Sequence, residues 1–316
     1  MAVDLKGRSL LTLKDFSAAE IRAVLDLARR VKRERRAGKV RQRFRGRALA
    51  LLFEKRSTRT RCAFETAFGE EGGHPVFLSQ QDIHLGGKEA LEDTARVLGR
   101  MFDAIEFRGF RQDTVETLAA RSGVPVYNGL TDDWHPTQVL ADLLTLEEAF
   151  GSLAGRRLAF VGDGRNNVAH TLLVGCARMG VHVAIGSPSE LAPAAEVAAW
   201  AREEASRTGS SVLVTSDPGE AVRGADAVYT DVWVSMGEEE KSAERVRLLA
   251  PWQVTTGTME RTGRPGAIFL HCLPAVKGKE VTVEVIEGPR SRVWDQAENR
   301  KHTIKALMLA TLGIGA

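Results

Sequence analysis

Residues 48–69 read ALALLFEKRSTRTRCAFETAFG and contain the pattern that decides the fold. The apolar run at 48–53 predicts a buried strand, and residues 60–69 have the spacing of a helix that follows it. Three arginines and three hydroxyl side chains fill positions 56–61. A strand that passes through a polar turn into a helix is the repeating unit of α/β sheets. The stretch therefore predicts an α/β fold.

The same alternation continues along the chain. Strands that alternate with helices form parallel sheets covered on both faces. Because the turn GSLAG follows a long helix predicted at 136–150, we place a domain boundary near residue 147. We predict two such domains, residues 1–147 and 148–297, each a parallel sheet flanked by helices, joined by long helices. Further strands are predicted at 75–78, 104–108, 124–128, 157–162, 182–185, 212–215, 227–231 and 268–271.

The composition argues against several classes of protein. The chain has 316 residues and a net charge of +3, from 44 basic and 41 acidic side chains. Its basic stretch, residues 29–47, has helical spacing among Ala, Leu and Val, which predicts a solvated helix and loop instead of a nucleic-acid arm. No apolar run approaches the roughly 18 residues of a membrane span, and the N-terminus is charged. We expect a cytoplasmic enzyme or binding protein without nucleic-acid or membrane partners.

The cysteines Cys62, Cys176 and Cys272 are far apart and lack CxxC spacing. Neither a disulfide framework nor a zinc site is indicated. Cys62 and Cys176 lie among apolar residues with helical spacing, which predicts core positions for both.

The hydroxyls of S-T-R-T, residues 57–60, predict an anion site. Ser57, Thr58 and Thr60 lie where the first amides of a helix lack partners, and such amides favour phosphate. Arg59 adds a planar fork of donors. Each hydroxyl alone could be an ordinary helix cap. The stretch lacks GxxxxGK[ST], so a P-loop and ATP chemistry are not indicated.

A second polar group follows another predicted strand. The stretch GLTDDWHPTQ, residues 129–138, puts His135 before a helix that begins with Pro136, and Gln138 lies one turn in. Arg108 ends a strand of the same domain. Together they could gather donors around a small oxygen-rich ligand, although an isolated histidine is more often a cap or a surface group.

In the second domain, FVGDGRNNVAH at 160–170 follows a strand and opens a helix, as a nicotinamide-binding turn does. Asn167 stands where the fingerprint requires a third glycine, and no acidic residue ends the next strand. A nicotinamide-dependent dehydrogenase is therefore disfavoured. Asp231 and Cys272 follow later strands, and an acidic group at Asp231 suits a substrate ammonium group.

Seven motifs together resemble the aspartate/ornithine carbamoyltransferase family: FEKRSTRTRCAFE, DTARVLGRM, NGLTDDWHPTQ, VGDGRNN, DVWVSMGEE, HCLPA and ENRKHTIKA. The motifs S-M-G and H-C-L-P resemble those of the ornithine-specific branch of the family. The resemblance implies carbamoyl transfer from carbamoyl phosphate to L-ornithine without metal or organic cofactor. It also implies a homotrimer or a higher assembly of trimers, and a last helix, residues 298–314, that packs on the first domain.

The resemblance implies a carbamoyl phosphate site. In the family, S-T-R-T binds the phosphate, a strand-end arginine and H-P-x-Q hold the carbamoyl end, and an arginine of the last helix returns to the site. Periodicity alone would predict that arginine on the surface. His84 replaces a glutamine of several relatives, in a loop expected to reach a neighbouring subunit's site; a loop histidine without a role is the alternative. The matching residues are Ser57, Thr58, Arg59, Thr60, His84, Arg108, His135, Gln138 and Arg300.

The resemblance also implies an ornithine site. Asn167 matches a residue at the α-amino-acid end, although it could equally be a helix cap. A loop with S-M-G closes over ornithine in the family, and Cys272 with the carbonyl of Leu273 positions the δ-amine beside Asp231. The matching residues are Asn167, Asp231, Ser235, Met236, Cys272 and Leu273.

Alternatives to this function remain. The acceptor could be another amine, such as N-acetylornithine or aspartate. A non-catalytic protein that uses the phosphate site for sensing or assembly is a further alternative. Arginine synthesis is the commoner role of the family, and arginine breakdown is the other.

Overall fold

A computed structural model describes residues 3–39, 41–81, 89–234 and 242–314. The chain divides into two compact units, one of Met1–Leu144 with Glu298–Ala316 and the other of Thr145–Ala297. Each contains one sheet, and all pairings between its named strands are parallel. The predicted α/β fold with two parallel sheets is confirmed.

The first unit has a four-stranded sheet in the order β2-β1-β3-β4. Its strands are β1 Ala48–Phe53, β2 His74–Ser79, β3 Ala104–Arg108 and β4 Val126–Leu130. Its helices are α1 Ala18–Arg36, α2 Thr58–Gly69, α3 Leu91–Met101, α4 Gln112–Ser122, the first part of α5 Pro136–Phe150 and most of α12 Val293–Thr311.

The two faces of this sheet differ in chemistry. Ile105 and Phe107 of β3 join an apolar core that includes Val115 and Leu118 of α4. Because successive side chains of a strand point to opposite faces, Glu106 and Arg108 belong to the other face. Both are buried. One face of the first sheet is therefore an apolar core, and the other carries charge towards its carboxyl end.

The second unit has a five-stranded sheet in the order β7-β6-β5-β8-β9. Its strands are β5 Arg157–Val161, β6 His182–Gly186, β7 Val212–Thr215, β8 Ala227–Thr230 and β9 Ile268–His271. The helices of this unit are α6 Asn167–Arg178, α7 Ala195–Thr208, α8 Pro218–Val222, α9 Ser242–Leu249, α10 Thr256–Arg261 and α11 Val283–Ile286. Because the carboxyl ends of β5, β8 and β9 meet at one edge of the sheet, the residues after these strands can form a common site.

Two details of α2 correct the sequence predictions. The helix begins at Thr58, two residues before the predicted start, because the Ser57 side chain accepts a hydrogen bond from the Thr60 amide at 3.2 Å and caps the helix. The predicted core position of Cys62 is wrong, since this residue is exposed, whereas Cys176 of α6 is buried as predicted. An apolar neighbourhood in sequence does not fix which face of a helix a residue occupies.

Within the described residues, the search for membrane-spanning segments finds no helix with the length and apolar character to cross a bilayer.

A close helix contact predicts a sharp difference between two glycines. A Cβ atom at Gly99 of α3 would lie 1.8 Å from the carbonyl oxygen of Ser122, whereas one at Gly69 would meet no atom within 4 Å. Gly99→Ala should lower the free energy of unfolding by about 2 kcal/mol because α3 and α4 must move apart. Gly69→Ala should leave it unchanged or raise it by up to about 1 kcal/mol. Urea unfolding measures both, and equal values would contradict the packing described.

Candidate functional site

The first site is centred on Thr60, in the first turn of α2. Its hydroxyl accepts one hydrogen bond from Nη1 of Arg108, at 3.3 Å, and another from Nη2 of Arg300, at 2.9 Å. Thr60 is fully buried, and Arg108 and Arg300 are only 6% and 2% exposed. A strand end, a helix start and the last helix thus bring two guanidinium groups to one hydroxyl.

This arrangement is electropositive for a physical reason. Two buried like charges repel each other, and the N-terminus of α2 adds the positive end of the helix dipole. Arg59, on the same turn, is half-buried. An anion bound here would be stabilised by all three guanidinium groups, and guanidinium forks match the geometry of phosphate oxygens.

His135 and Gln138 lie beside this group, at the start of α5. They are 4% and 1% exposed, and Gln138 donates from Nε2 to Oδ1 of Asp142 at 2.8 Å. The Oε1 atom of Gln138 has no hydrogen-bond partner among the described residues. The amide is thus held from one side, with its second polar atom available to a ligand.

Burial lowers the pKa of His135 well below its usual value. The charges of three neighbouring arginines lower it further, in the order Arg300, Arg108 and Arg59. His135 is therefore neutral at pH 7, when one ring nitrogen donates a hydrogen bond and the other accepts one.

Glu106 is a residue of this site that the sequence reasoning missed. It is fully buried, and burial raises its pKa well above the usual value, although the charges of Arg108 and Arg300 oppose the rise. The signal was present in the sequence as an acidic residue inside the apolar strand AIEFR. A buried charged residue among apolar neighbours is rare unless it is paired, which marks the position for attention.

The second site is centred on Asp231, which follows β8 and is 8% exposed. Its Oδ1 accepts from Sγ of Cys272 at 2.9 Å and from the amide of Val232 at 2.8 Å. Its Oδ2 accepts from Nδ2 of Asn166 at 2.7 Å. All three donors are neutral groups, so none of them forms an ion pair with the carboxyl group.

The helix-cap alternative for Asn167 is wrong. Asn166 is the N-cap of α6, because its Oδ1 accepts from the amide of Val168 at 2.6 Å. Asn167 is the first residue of the helix. Asn166 thus has two functions, capping α6 with its carbonyl oxygen and orienting Asp231 with its amide nitrogen.

The strand end at β9 holds Leu273 in an unusual conformation. Leu273 has φ of +59°, a region that side chains other than glycine rarely adopt, and a cis peptide bond joins it to Pro274. Its amide donates to Nδ1 of His271 at 2.8 Å, and Nε2 of His271 lies 3.4 Å from Oε1 of Glu280. His271 and Glu280, both buried, therefore hold the backbone that presents the Leu273 carbonyl; neither was singled out from the sequence.

The ligand atoms of Asp231, His271 and Cys272 lie within 4.8 Å of one another. Zn²⁺ accepts such donors. However, a metal would displace both the Cys272–Asp231 hydrogen bond and the bond from the Leu273 amide to His271. The side chains of Asp231, His271 and Cys272 therefore suit the binding of a substrate amine better than the binding of a metal ion.

Three predicted site residues, His84, Ser235 and Met236, lie outside the described residues. The described chain resumes at α9, where Arg245 is buried and donates from Nη1 to Oδ2 of Asp163. Asp163 belongs to the turn between β5 and α6. This ion pair fixes α9 to the same edge of the second sheet.

Comparisons with known proteins identify the family of this chain. Residues 8–148 match the family model "Aspartate/ornithine carbamoyltransferase, carbamoyl-P binding domain", and residues 154–311 match "Aspartate/ornithine carbamoyltransferase, Asp/Orn binding domain". The ornithine carbamoyltransferase of Caldanaerobacter subterraneus subsp. tengcongensis is 68% identical over 99% of this chain and 100% of its own. A catabolic ornithine carbamoyltransferase of Bacillus licheniformis is 54% identical over 98% of each chain. The solved structure of the Pyrococcus furiosus ornithine carbamoyltransferase superimposes with a TM-score of 0.96 and 43% identity, covering 100% of both chains.

The environment of His135 predicts its titration. Because burial and three arginines lower its pKa, the folded imidazole should stay neutral as the pH falls through the usual titration range of histidine. In the urea-unfolded chain the pKa of His135 should be about 6.5. The unfolded chain therefore binds this proton first as the pH falls, and the group lowers stability below about pH 6.5. Imidazole ¹⁵N NMR, assigned with His135→Gln, measures the folded value; protonation near pH 6.5 in the folded protein would contradict the described burial.

Proposed function

Because the chain belongs to the aspartate/ornithine carbamoyltransferase family, we propose that it transfers the carbamoyl group of carbamoyl phosphate to the δ-amine of L-ornithine, giving L-citrulline and phosphate. The observation that carries the proposal is the pair of buried guanidinium groups on Thr60 at the start of α2. The relatives match this chain over nearly its full length and are named ornithine carbamoyltransferases, which supports ornithine as the acceptor.

The phosphate end of carbamoyl phosphate binds at the first turn of α2. Its oxygens accept from the first amides of that helix, from the hydroxyls of Ser57, Thr58 and Thr60, and from Arg59. The same contacts stabilise phosphate as it leaves, since the leaving group gains negative charge during the reaction. Arg300, already beside Thr60, supplies a further positive charge.

The carbamoyl end binds against Arg108, His135 and Gln138. When the amine attacks the carbamoyl carbon, the carbonyl oxygen becomes negative, and donors held in advance stabilise it. A neutral His135 can donate one hydrogen bond without adding a third buried charge to Arg108 and Arg300. The fixed positions of these groups are therefore part of the catalytic effect.

The amine is handled by the second unit. A free alkylammonium group has a pKa of about 10.4. The δ-nitrogen of ornithine is therefore protonated in neutral solution and must lose a proton before it can attack. Cys272 and the carbonyl of Leu273 orient the δ-amine, and the carboxylate of Asp231 accepts its first proton. The nitrogen lone pair then forms the C–N bond, the bond between the carbamoyl carbon and the phosphate oxygen breaks with its electron pair on phosphate, and the second nitrogen proton passes to the leaving phosphate. No cofactor is needed for this balance.

The remaining specificity residues follow the family pattern. Asn167, at the N-terminus of α6, binds the α-amino-acid end of ornithine. Ser235 and Met236 close over the substrate, and His84 contacts phosphate from a neighbouring subunit. These roles rest on the match to the family motifs.

We assign residues 1–147 with 298–314 to carbamoyl phosphate and residues 148–297 to ornithine. The descriptions of the two family models support the two ligands, and the compact unit of Met1–Leu144 with Glu298–Ala316 supports grouping the last helix with the first domain. A homotrimer agrees with the exposed apolar pair Val97 and Met101 on α3. A cytoplasmic location agrees with the lack of a disulfide among three cysteines that all lie in the described chain. We favour a role in arginine synthesis, and the catabolic Bacillus relative makes breakdown the alternative.

The acceptor is tested by an amine panel. Purified protein with carbamoyl phosphate should form a ureido product from L-ornithine with kcat/KM at least 100-fold above that from N-acetylornithine or aspartate. Colorimetric ureido detection and mass spectrometry identify each product. Phosphate release without citrulline, or a preference for another amine, would refute ornithine as the substrate.

Arg59 should be essential and its neighbour Arg61 should not. Arg59→Ala removes a charge-assisted contact to phosphate worth about 2 kcal/mol, so kcat/KM for carbamoyl phosphate should fall roughly 30-fold or more. Arg61→Ala removes an exposed guanidinium that pairs with Glu65 at 2.9 Å, and its effect should stay within about threefold. Steady-state assays at saturating ornithine measure both. Parent-like kinetics in the Arg59 variant would remove the basis for the phosphate site.

A further inference from the structure

Glu106 has no function in the reaction described so far, yet it lies in the middle of the carbamoyl phosphate site. It is fully buried on β3, two residues before Arg108 and on the same face of the sheet. Neither of its carboxyl oxygens has a hydrogen-bond partner among the described residues. Buried polar groups are nearly always hydrogen-bonded, so an exception requires a physical explanation.

Gly129 makes the room for this carboxyl group. A Cβ atom at Gly129 would lie 1.9 Å from Oε1 of Glu106 and 3.2 Å from Cγ2 of Thr60. The carboxyl group therefore lies beside the residue whose hydroxyl receives both guanidinium groups. A side chain larger than hydrogen at position 129 would push it away from this place.

The charged neighbours of Glu106 come from several elements. Arg108 of its own strand and Arg300 of α12 act on it electrostatically. Tyr127 of β4 is its register partner, and the phenol is neutral because burial raises its pKa. The register partner on β1, Leu51, is apolar.

Two further elements border the same group of charges. α2 provides Thr60, which is neutral, and Arg59, whose charge acts on His135. His135, before α5, is itself neutral at pH 7. Glu106 is thus the acidic member of a set in which the other charges named are positive.

We propose that Glu106 takes up a proton when carbamoyl phosphate or phosphate binds at Thr60, so that the affinity of the site for this anion rises as the pH is lowered. The inference rests on the proposed function of the site. Without the anion and above the raised pKa of Glu106, the ionised carboxylate balances the charge of Arg108 and Arg300. A bound phosphate group takes over this balance, and the buried carboxylate then becomes a like charge next to it. Glu106 is a positioning residue in this account, because it acts on the anion through the two arginines.

The raised pKa of Glu106 agrees with this scheme. Burial raises it and the two arginines oppose the rise, so cancelling their charges with an anion must raise it further. Between the pKa of the unliganded and that of the liganded state, binding takes up a proton. Between these two pKa values, the dissociation constant of the anion increases by up to about tenfold for each unit by which the pH rises. A side chain at position 106 that cannot ionise removes this pH dependence.

Calorimetry tests the proton uptake. Inorganic phosphate is titrated into the parent, Glu106→Gln and Glu65→Gln in two buffers of different ionisation enthalpy, from pH 6 to 9. Glu65 is a matched control, because it is a partly exposed carboxylate of the same unit that pairs with Arg61. The ionisation of phosphate itself is common to all three proteins and cancels in their difference.

We expect the parent and Glu65→Gln to take up more protons than Glu106→Gln, by up to one per site. Glu106→Gln should also bind phosphate more tightly than the parent at the upper end of the pH range. Equal proton uptake in the parent and Glu106→Gln at every pH would overturn the inference. Citrulline formation is assayed separately. Equal proton uptake with normal citrulline formation would overturn the inference alone, and a lack of citrulline with the expected proton uptake would overturn the proposed function alone.

A second measurement covers the case in which Glu106→Gln does not fold. The infrared difference spectrum of the parent protein, labelled with ¹³C-glutamate, is recorded with and without phosphate. A shifted carbonyl band of a protonated glutamic acid should appear on binding. Its absence across the pH range would contradict proton uptake by a glutamate.

Discussion

The chemistry of the first site depends on one constraint: two buried guanidinium groups donate to the hydroxyl of Thr60. Arg108 and Arg300 are 192 residues apart in sequence, and both donate to the same oxygen. Their repulsion is unfavourable unless negative charge lies nearby. Burial and then this field lower the pKa of His135, whereas burial raises the pKa of Glu106 and the two arginines oppose that rise.

The second unit solves a complementary problem. Asp231 lies at a strand end, and its three donors, from Cys272, Asn166 and Val232, are all neutral. The first unit thus presents positive charge to an anion, and the second presents negative charge to an amine. This division fits a reaction in which the leaving group is phosphate and the nucleophile arrives as an ammonium ion.

The sequence was most informative where local chemistry determines structure. The strand at 48–53 and the S-T-R-T turn predicted the parallel fold and a helix after the turn, although the helix begins at Thr58 instead of the predicted residue 60. It was least informative for contacts set by tertiary packing: Arg300 lies on a helix whose periodicity predicts exposure, and Cys62 is exposed despite apolar neighbours. Glu106 gave a visible signal, an acid in an apolar strand, but its neighbours were not deducible from one chain. The cap of α6 shifted by one residue, to Asn166, because either asparagine of the pair has the chemistry of a cap.

The most direct test is a crystal structure with a bisubstrate analogue that joins a phosphonate to ornithine through a carbamoyl-like linker. Phosphonate oxygens should lie within hydrogen-bond distance of the first amides of α2 and Arg59, and the linker carbonyl should accept from Arg108 and His135, beside Gln138. The ornithine portion should lie beside Asp231 and Cys272. A phosphonate bound away from Thr60, with both guanidinium groups still on its hydroxyl, would contradict the central claim.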